Sequence, residues 1–317
     1  MAENMESIYR RYNAKTPNSP DLELVPPELH QENGARVDCH DPGLHFKHMA
    51  TDALNILEVF FTTCNHRKVA PVRWNWEYIL FHSLGLIESR DTNLRIVAML
   101  VCLVCSAAAT DRGCIESTKN LYEAGYLTDL EKLMDPDLSN VARIEELIKP
   151  SGINEQKTAT LQLVAELMVK NEGKCPSNIF DLMIMKGIGR KTAILQLNEA
   201  FGFFAGIGTD SHIVRIVLAF LWVKPEKNGP KPGAEHIEAS LRTWIDVSEY
   251  KSTNRLFGSL GQMFTQQFSG KVMRNDDELR QVIAAMDEYI NRPYHVELFW
   301  FMIRTVREYY RKNGSLE

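Results

Sequence analysis

Apolar residues recur at intervals of three and four along most of this chain, and no segment alternates apolar with polar in steps of two. That period belongs to helices rather than strands. Leu54, Ile56, Leu57, Phe60 and Phe61 predict a helix over 45–64. Trp74, Trp76, Tyr78 and Phe81 predict another in the second half of 69–86. Residues 94–109 are so apolar that their helix is expected to be buried on most faces. Further helices are predicted over 115–124, 129–134, 141–148, 155–170, 191–200, 211–223, 237–245, 253–267, 277–289 and 296–312. Pro176-Ser177 is expected to open a helix that runs into a glycine turn. Breakers separate these stretches: PNSPD and VPPE within 1–44, Gly152, Gly202, and KPEKNGPKPG at 224–233. The fold class is all-α, and residues 1–44 are expected to be an irregular tail.

A chain of 317 residues with 44% hydrophobic positions has material for one large core or two modest ones. No apolar run is long enough to cross a membrane; residues 213–223 come nearest and are interrupted by Arg215. The acidic, polar start from Met1 to Glu6 resembles neither a secretion signal nor a mitochondrial leader, so an intracellular location is expected, nuclear in a eukaryote. Six scattered cysteines, Cys39, Cys64, Cys102, Cys105, Cys114 and Cys175, read as reduced thiols. Cys102 and Cys105 form a C-x-x-C inside an apolar run and are expected in the core. The net charge of −5 counts against an extensive nucleic-acid footprint, but its distribution matters more than its sum.

The richest chemistry lies in residues 182–213. Gly187-Ile188-Gly189 makes a tight turn between two helical segments, and Lys186, Arg190 and Lys191 flank it without an acid among them. A helix that starts just after such a turn offers backbone amides and its positive dipole end to a phosphate. The same positive end disfavours the charged form of a lysine amine, which favours nucleophilic use of Lys191. Asp210 follows Lys191 by 19 residues and can cap the next helix.

These residues resemble the helix-hairpin-helix DNA glycosylases, in particular the endonuclease III branch. The family pattern L-P-G-V-G-x-K-T-A, followed downstream by V-D-T-H, reads here as Met185-Lys186-Gly187-Ile188-Gly189-Arg190-Lys191-Thr192-Ala193 and Thr209-Asp210-Ser211-His212. Cys105-Ser106-Ala107-Ala108-Ala109-Thr110-Asp111 is similar to the family's L-S-A-Q-A-T-D, and Gly152-Ile153-Asn154-Glu155-Gln156-Lys157 to its G-L-Y-N-S-K. The resemblance covers residues 92–265. It implies two helical domains flanking a DNA-binding cleft: a six-helix barrel over 92–203, and a discontinuous domain made of 45–91 with 204–317. It implies a bifunctional glycosylase and AP lyase of base excision repair. Lys191 would displace a damaged base, an oxidised pyrimidine in this branch, and form a Schiff base that leads to β-elimination. Asp210 would stabilise the charge that develops on the sugar. Gly187, Gly189, Lys186 and Arg190 would grip phosphate. Ile153 falls where the family has an apolar wedge, and is otherwise an ordinary packed loop residue. His212 is expected to be a structural hydrogen-bonder. The expected partner is double-stranded DNA with a damaged base or an abasic site, bound by a monomer.

The sequence departs from the family in four places. No cysteine follows Cys175, so the family's four-cysteine iron–sulfur cluster has no ligands and no cofactor is expected. Ala108 replaces the glutamine that fills the gap left by the flipped base. Lys186 replaces the proline at the hairpin entry. The spacing from Lys191 to Asp210 is longer by one residue, which Gly206-Ile207-Gly208 is expected to absorb. Three other readings remain: an AP lyase or glycosylase for a different lesion, a non-catalytic binder of damaged or kinked DNA, and, given the acidic charge, a helical protein-interaction scaffold.

Overall fold

The structure is a computed structural model that describes residues 44–67, 70, 72–220, 222–223, 232–243, 245–264, 276–286 and 293–312. Of the tail expected over 1–44, residues 1–43 lie outside the described residues, whereas Leu44 is the first residue of a helix; most of the 224–233 loop, Cys39 and Tyr289 also lie outside them. Among the described residues there are α-helices, 3-10 turns and loops, and no strand. The chain divides into two compact units, a continuous one, Asn75–Gly208, and a discontinuous one that joins Met1–Trp74 to Thr209–Glu317. Residues 75–91 and 204–208, expected in the discontinuous domain, group with the continuous unit instead.

In the continuous unit the helices are α2 (Trp76–Ser83), α3 (Thr92–Cys105), α4 (Asp111–Glu123), α5 (Leu130–Met134), α6 (Leu138–Leu147), α7 (Asn154–Lys170), α8 (Ile179–Ile184) and α9 (Arg190–Ala200). The discontinuous unit holds α1 (Leu44–His66), α10 (Ser211–Ala219), α11 (Ala234–Arg242), α12 (Tyr250–Met263), α13 (Asp276–Ala284) and α14 (Pro293–Lys312).

Side-chain caps set most starts in the continuous unit. Asp91, Thr110, Asp129, Asp137 and Asn178 each accept from an amide two or three residues on. This is why α4 begins at Asp111 and α6 at Leu138, earlier than apolar spacing places them: the spacing marks the first buried residue, whereas the cap marks the first turn. Asn178 likewise starts the hairpin's first helix at Ile179 rather than at Pro176-Ser177. Helix α3 is the central rod of this unit. Every residue from Val97 to Cys105 is buried, Cys102 and Cys105 among them, and burial pushes the Cys105 thiol up to about 12.

Aromatic rings pack the discontinuous unit. Phe60 meets Phe299 at 4.8 Å between centroids, and Phe220, Trp222 and Phe257 form a cluster. Tyr310 is fully buried and donates its hydroxyl to Gly261 O at 3.0 Å. Of the C-terminal aromatics, Phe299 and Tyr310 are core, whereas Trp300, Phe301 and Tyr309 are only partly buried.

Candidate active site

The hairpin is built by a short turn pressed against α7. The chain leaves α8 at Met185, and Ile188 N–H returns to Met185 O at 3.0 Å. Gly187 takes φ +93°, a conformation that suits glycine. A Cβ there would lie 2.7 Å from Thr160 Cγ2 of α7. Ile188 is buried beneath the turn, and Gly187 and Gly189 are exposed above it. Gly189 is the N-cap of α9, extended at φ −84° and ψ 171°, and it offers no side-chain oxygen to the first amides. Lys186 is exposed, and Arg190 and Lys191 occupy the first turn of α9, each half-buried. The hairpin residues singled out from the sequence therefore share one convex turn.

Two further turns are joined by one buried cation. Lys157 is 4% exposed, and its Nζ donates to Cys105 O at 2.8 Å and Ser151 O at 2.6 Å. Burial lowers the pKa of its amine. The first acceptor ends α3 and leads to Ala108; the second precedes Ile153. Ala108 and Ile153 are both exposed and both left-handed, at φ +50° and +49°. A β-branched residue rarely adopts that conformation, and such strain gathers at functional sites. Ile153 is thus held outward on the N-cap of α7, 51% exposed, rather than packed on its neighbours.

Asp210 belongs to the discontinuous unit. It caps α10, with Oδ1 accepting from His212 N at 2.9 Å and Ile213 N at 3.0 Å. Oδ2 accepts from Arg73 Nη1 at 2.5 Å. His212 packs against Gly261 of α12, where a Cβ would fall 2.7 Å from His212 Cβ. Burial lowers the His212 pKa against the pull of Asp210, which favours a neutral imidazole. The loop before Asp210 is pinned: Asn198 donates to Gly206 O at 2.8 Å and accepts from Ala205 N at 2.9 Å, and Ile207 is fully buried. Sequence reasoning missed Arg73. Its partner lies 137 residues away, and no local pattern marks such a pair.

Cys64, Cys102, Cys105, Cys114 and Cys175 are all buried, and α13 and α14 contain no cysteine. No group of three His, Cys, Asp or Glu among the described residues is placed to hold a metal ion.

Fold and motif together define an all-helical protein with a helix-hairpin-helix. No protein-family model matches the chain. Among curated proteins it is similar to endonuclease III homolog 1, chloroplastic, of Arabidopsis thaliana, 30% identical over 171 residues, which is 53% of this chain and 44% of the relative. It is similar to endonuclease III-like protein 1 of Gallus gallus, 28% identical over 184 residues, covering 56% of this chain and 62% of the relative. Endonuclease III of Haemophilus influenzae is 31% identical over 119 residues, covering 37% of this chain and 54% of the relative. The chain thus spans about half the length of the curated relatives it matches, and these matches support an endonuclease III-like chain. Solved structures similar to it include the trapped endonuclease III–DNA covalent intermediate in its estranged-adenine complex, at 25% identity, TM-score 0.45, covering 53% of this chain and 73% of that one. A non-covalent endonuclease III–DNA complex matches at 22% identity and TM-score 0.46, covering 61% and 86%. Among the described residues no helix is long and apolar enough to cross a membrane.

Proposed function

We propose that this chain is a bifunctional DNA glycosylase and AP lyase of base excision repair, acting on an oxidised pyrimidine in double-stranded DNA without an iron–sulfur cluster. The observation that carries the reading is Lys191 in the first turn of α9, directly behind a glycine hairpin whose cap has no side chain. The exposed turn at Gly187 and Gly189, with Lys186 and Arg190 beside it, suits a phosphate group. Ile153, held outward in a strained turn, suits a wedge that unstacks a base step.

The chemistry follows from an amine and a carboxylate. The neutral amine of Lys191 forms a bond to C1′ of the extruded nucleotide as the glycosidic bond breaks, and the base leaves with a proton. The sugar ring opens to an imine on Lys191. The imine acidifies the C2′ proton, and its loss expels the 3′ phosphate. Asp210 stabilises the positive charge that develops on the sugar as the base departs. Ala108 has only a methyl, so the orphaned base opposite the lesion gains little from this position. Endonuclease III relatives, the spacing of Lys191 and Asp210, and the cap geometry of Asp210 support this reading. The compartment follows the DNA, nuclear or organellar in a eukaryote; the Arabidopsis relative is named chloroplastic.

Borohydride reduction of the protein with an abasic duplex tests the nucleophile. Wild-type protein is expected to yield a covalent adduct and a cleaved strand. Lys191→Gln is expected to bind the duplex and yield neither. Undiminished trapping by Lys191→Gln would refute Lys191 as the nucleophile and turn attention to Lys186.

A further inference from the structure

Asp210 is held by more than a helix cap requires. Its Oδ1 already accepts from both His212 N and Ile213 N, which completes the cap. Its Oδ2 is taken by the Arg73 guanidinium at 2.5 Å, with side-chain exposures of 14% for Arg73 and 9% for Asp210. A cap alone gives no reason for an arginine on the second oxygen.

The position of Arg73 is itself built. Arg73 lies on the 3-10 turn Val72–Asn75. The next residue, Trp74, is buried, stacked on Phe61 of α1 with centroids 5.8 Å apart and covered by the Arg255 guanidinium of α12 at 4.5 Å. Helix α12 passes the Arg73 guanidinium at Gly258, where a Cβ would fall 2.5 Å from Cζ. Only the lack of a side chain at Gly258 leaves room for the guanidinium.

We infer that Arg73 is a positioning residue for base removal, holding the Asp210 carboxylate in one orientation through Oδ2. The inference rests on the reading of Asp210 as the carboxylate that acts on the sugar. Two effects of Arg73 oppose each other. Its positive charge weakens the field of Asp210 at the sugar, and its hydrogen bond fixes where that field points. Orientation wins on magnitude. A buried carboxylate left without its partner rotates or takes a proton, and a misplacement of about 1 Å at a reacting centre costs on the order of 100-fold in rate. With both oxygens engaged, Asp210 acts as an oriented negative charge rather than as a proton acceptor.

The test separates base removal from the later steps. Single-turnover excision is followed on duplexes bearing thymine glycol, 5-hydroxyuracil or 5-hydroxycytosine. Affinity is followed on a duplex with a tetrahydrofuran abasic analogue, and borohydride trapping on an abasic duplex. Arg73→Gln is expected to slow excision by about 10- to 100-fold, with affinity and trapping within about threefold of wild type. A general loss of structure would lower all three together. Arg73→Lys keeps the charge with one donor and is expected to recover part of the excision rate. Gly258→Ala displaces the guanidinium without removing it, and is expected to slow excision as Arg73→Gln does. Because Gly258→Ala and Arg73→Lys both keep a cation on the turn, they stand in for Arg73→Gln if that variant fails to fold. Excision by Arg73→Gln at the wild-type rate or faster would overturn the inference while leaving Asp210 in place. Excision by Asp210→Asn at the wild-type rate would instead overturn the reading of Asp210, and this inference with it. Inertness of the wild-type protein on all three lesions would do the same.

Discussion

Gly187 and Gly189 are two residues apart in the hairpin, yet a side chain would meet different surroundings at each. At Gly187 the backbone is at φ +93° and Thr160 fills the space, so a larger residue strains the turn and pushes on α7. At Gly189 the backbone is extended and a Cβ meets nothing within 4 Å. Gly189→Val is therefore expected to keep the unfolding midpoint of the wild-type protein while its isopropyl group blocks the approach of a phosphate to the first amides of α9. Duplex affinity should fall by about 10-fold or more, the order expected for losing a charge-assisted grip of about 1.5–3 kcal/mol. Equal duplex affinity for Gly189→Val and wild type would remove the hairpin amides as the phosphate grip. Gly187→Val is expected to lower the midpoint as well, which makes it the poorer probe. At this scale the glycine turn at Gly187-Ile188-Gly189 and the Asp210 helix cap were legible because their signals are local. Arg73 and Gly258 were not, because their meaning depends on elements distant in sequence reaching Asp210.

At the scale of elements, helix existence was legible almost everywhere and helix ends were not. Apolar spacing located α3, α4 and α6, whereas their first residues depend on single capping side chains, Asp91, Thr110 and Asp137, that the period does not register. Lys157 shows what periodicity conceals. It ends the Gly152–Lys157 segment singled out in the sequence, and the structure buries it between the end of α3 and the turn before Ile153, a placement that apolar spacing does not register. Lys157→Met keeps the length of the side chain and removes the donors. Cys105 O and Ser151 O then lose a charged partner in a buried site. The cost is about 1–3 kcal/mol for each buried carbonyl left unpaired, offset in part by the relief of a buried charge. Chemical denaturation is expected to show a net loss of about 2–4 kcal/mol. Because Ser151 is two residues from Ile153, the same variant should bind an abasic-analogue duplex more weakly than its stability loss explains. A stable Lys157→Met protein with wild-type affinity would show that the two turns need no common tether.

The whole molecule is acidic, and its proposed DNA grip is small. The all-α class was legible because no two-residue alternation occurs anywhere in the chain. The units divide at 74/75 and 208/209, where contacts rather than composition change. The pinned loop at Gly206-Ile207-Gly208 explains the second boundary in part, since Asn198 ties it back to α9 and so to the continuous unit. A net charge of −5 spread over 317 residues leaves no broad basic face to be inferred from the sequence, and the cations singled out are Lys186, Arg190 and Lys191 around one hairpin. Such a surface neutralises few phosphates. Each phosphate contact contributes about −0.9 to the slope of log affinity against log salt on duplex DNA, so two to four contacts give a slope of about −2 to −4. Raising salt from about 50 to 200 mM should weaken binding to an abasic-analogue duplex by about 10- to 150-fold, against 10³- to 10⁵-fold for a protein with six to ten contacts. Lys186→Gln, which removes an exposed cation at the hairpin entry, should make the slope shallower by about one unit. A wild-type slope near −8 would mean that a wide basic surface outside the hairpin holds the DNA, and an unchanged slope in Lys186→Gln would take that residue out of the phosphate contacts.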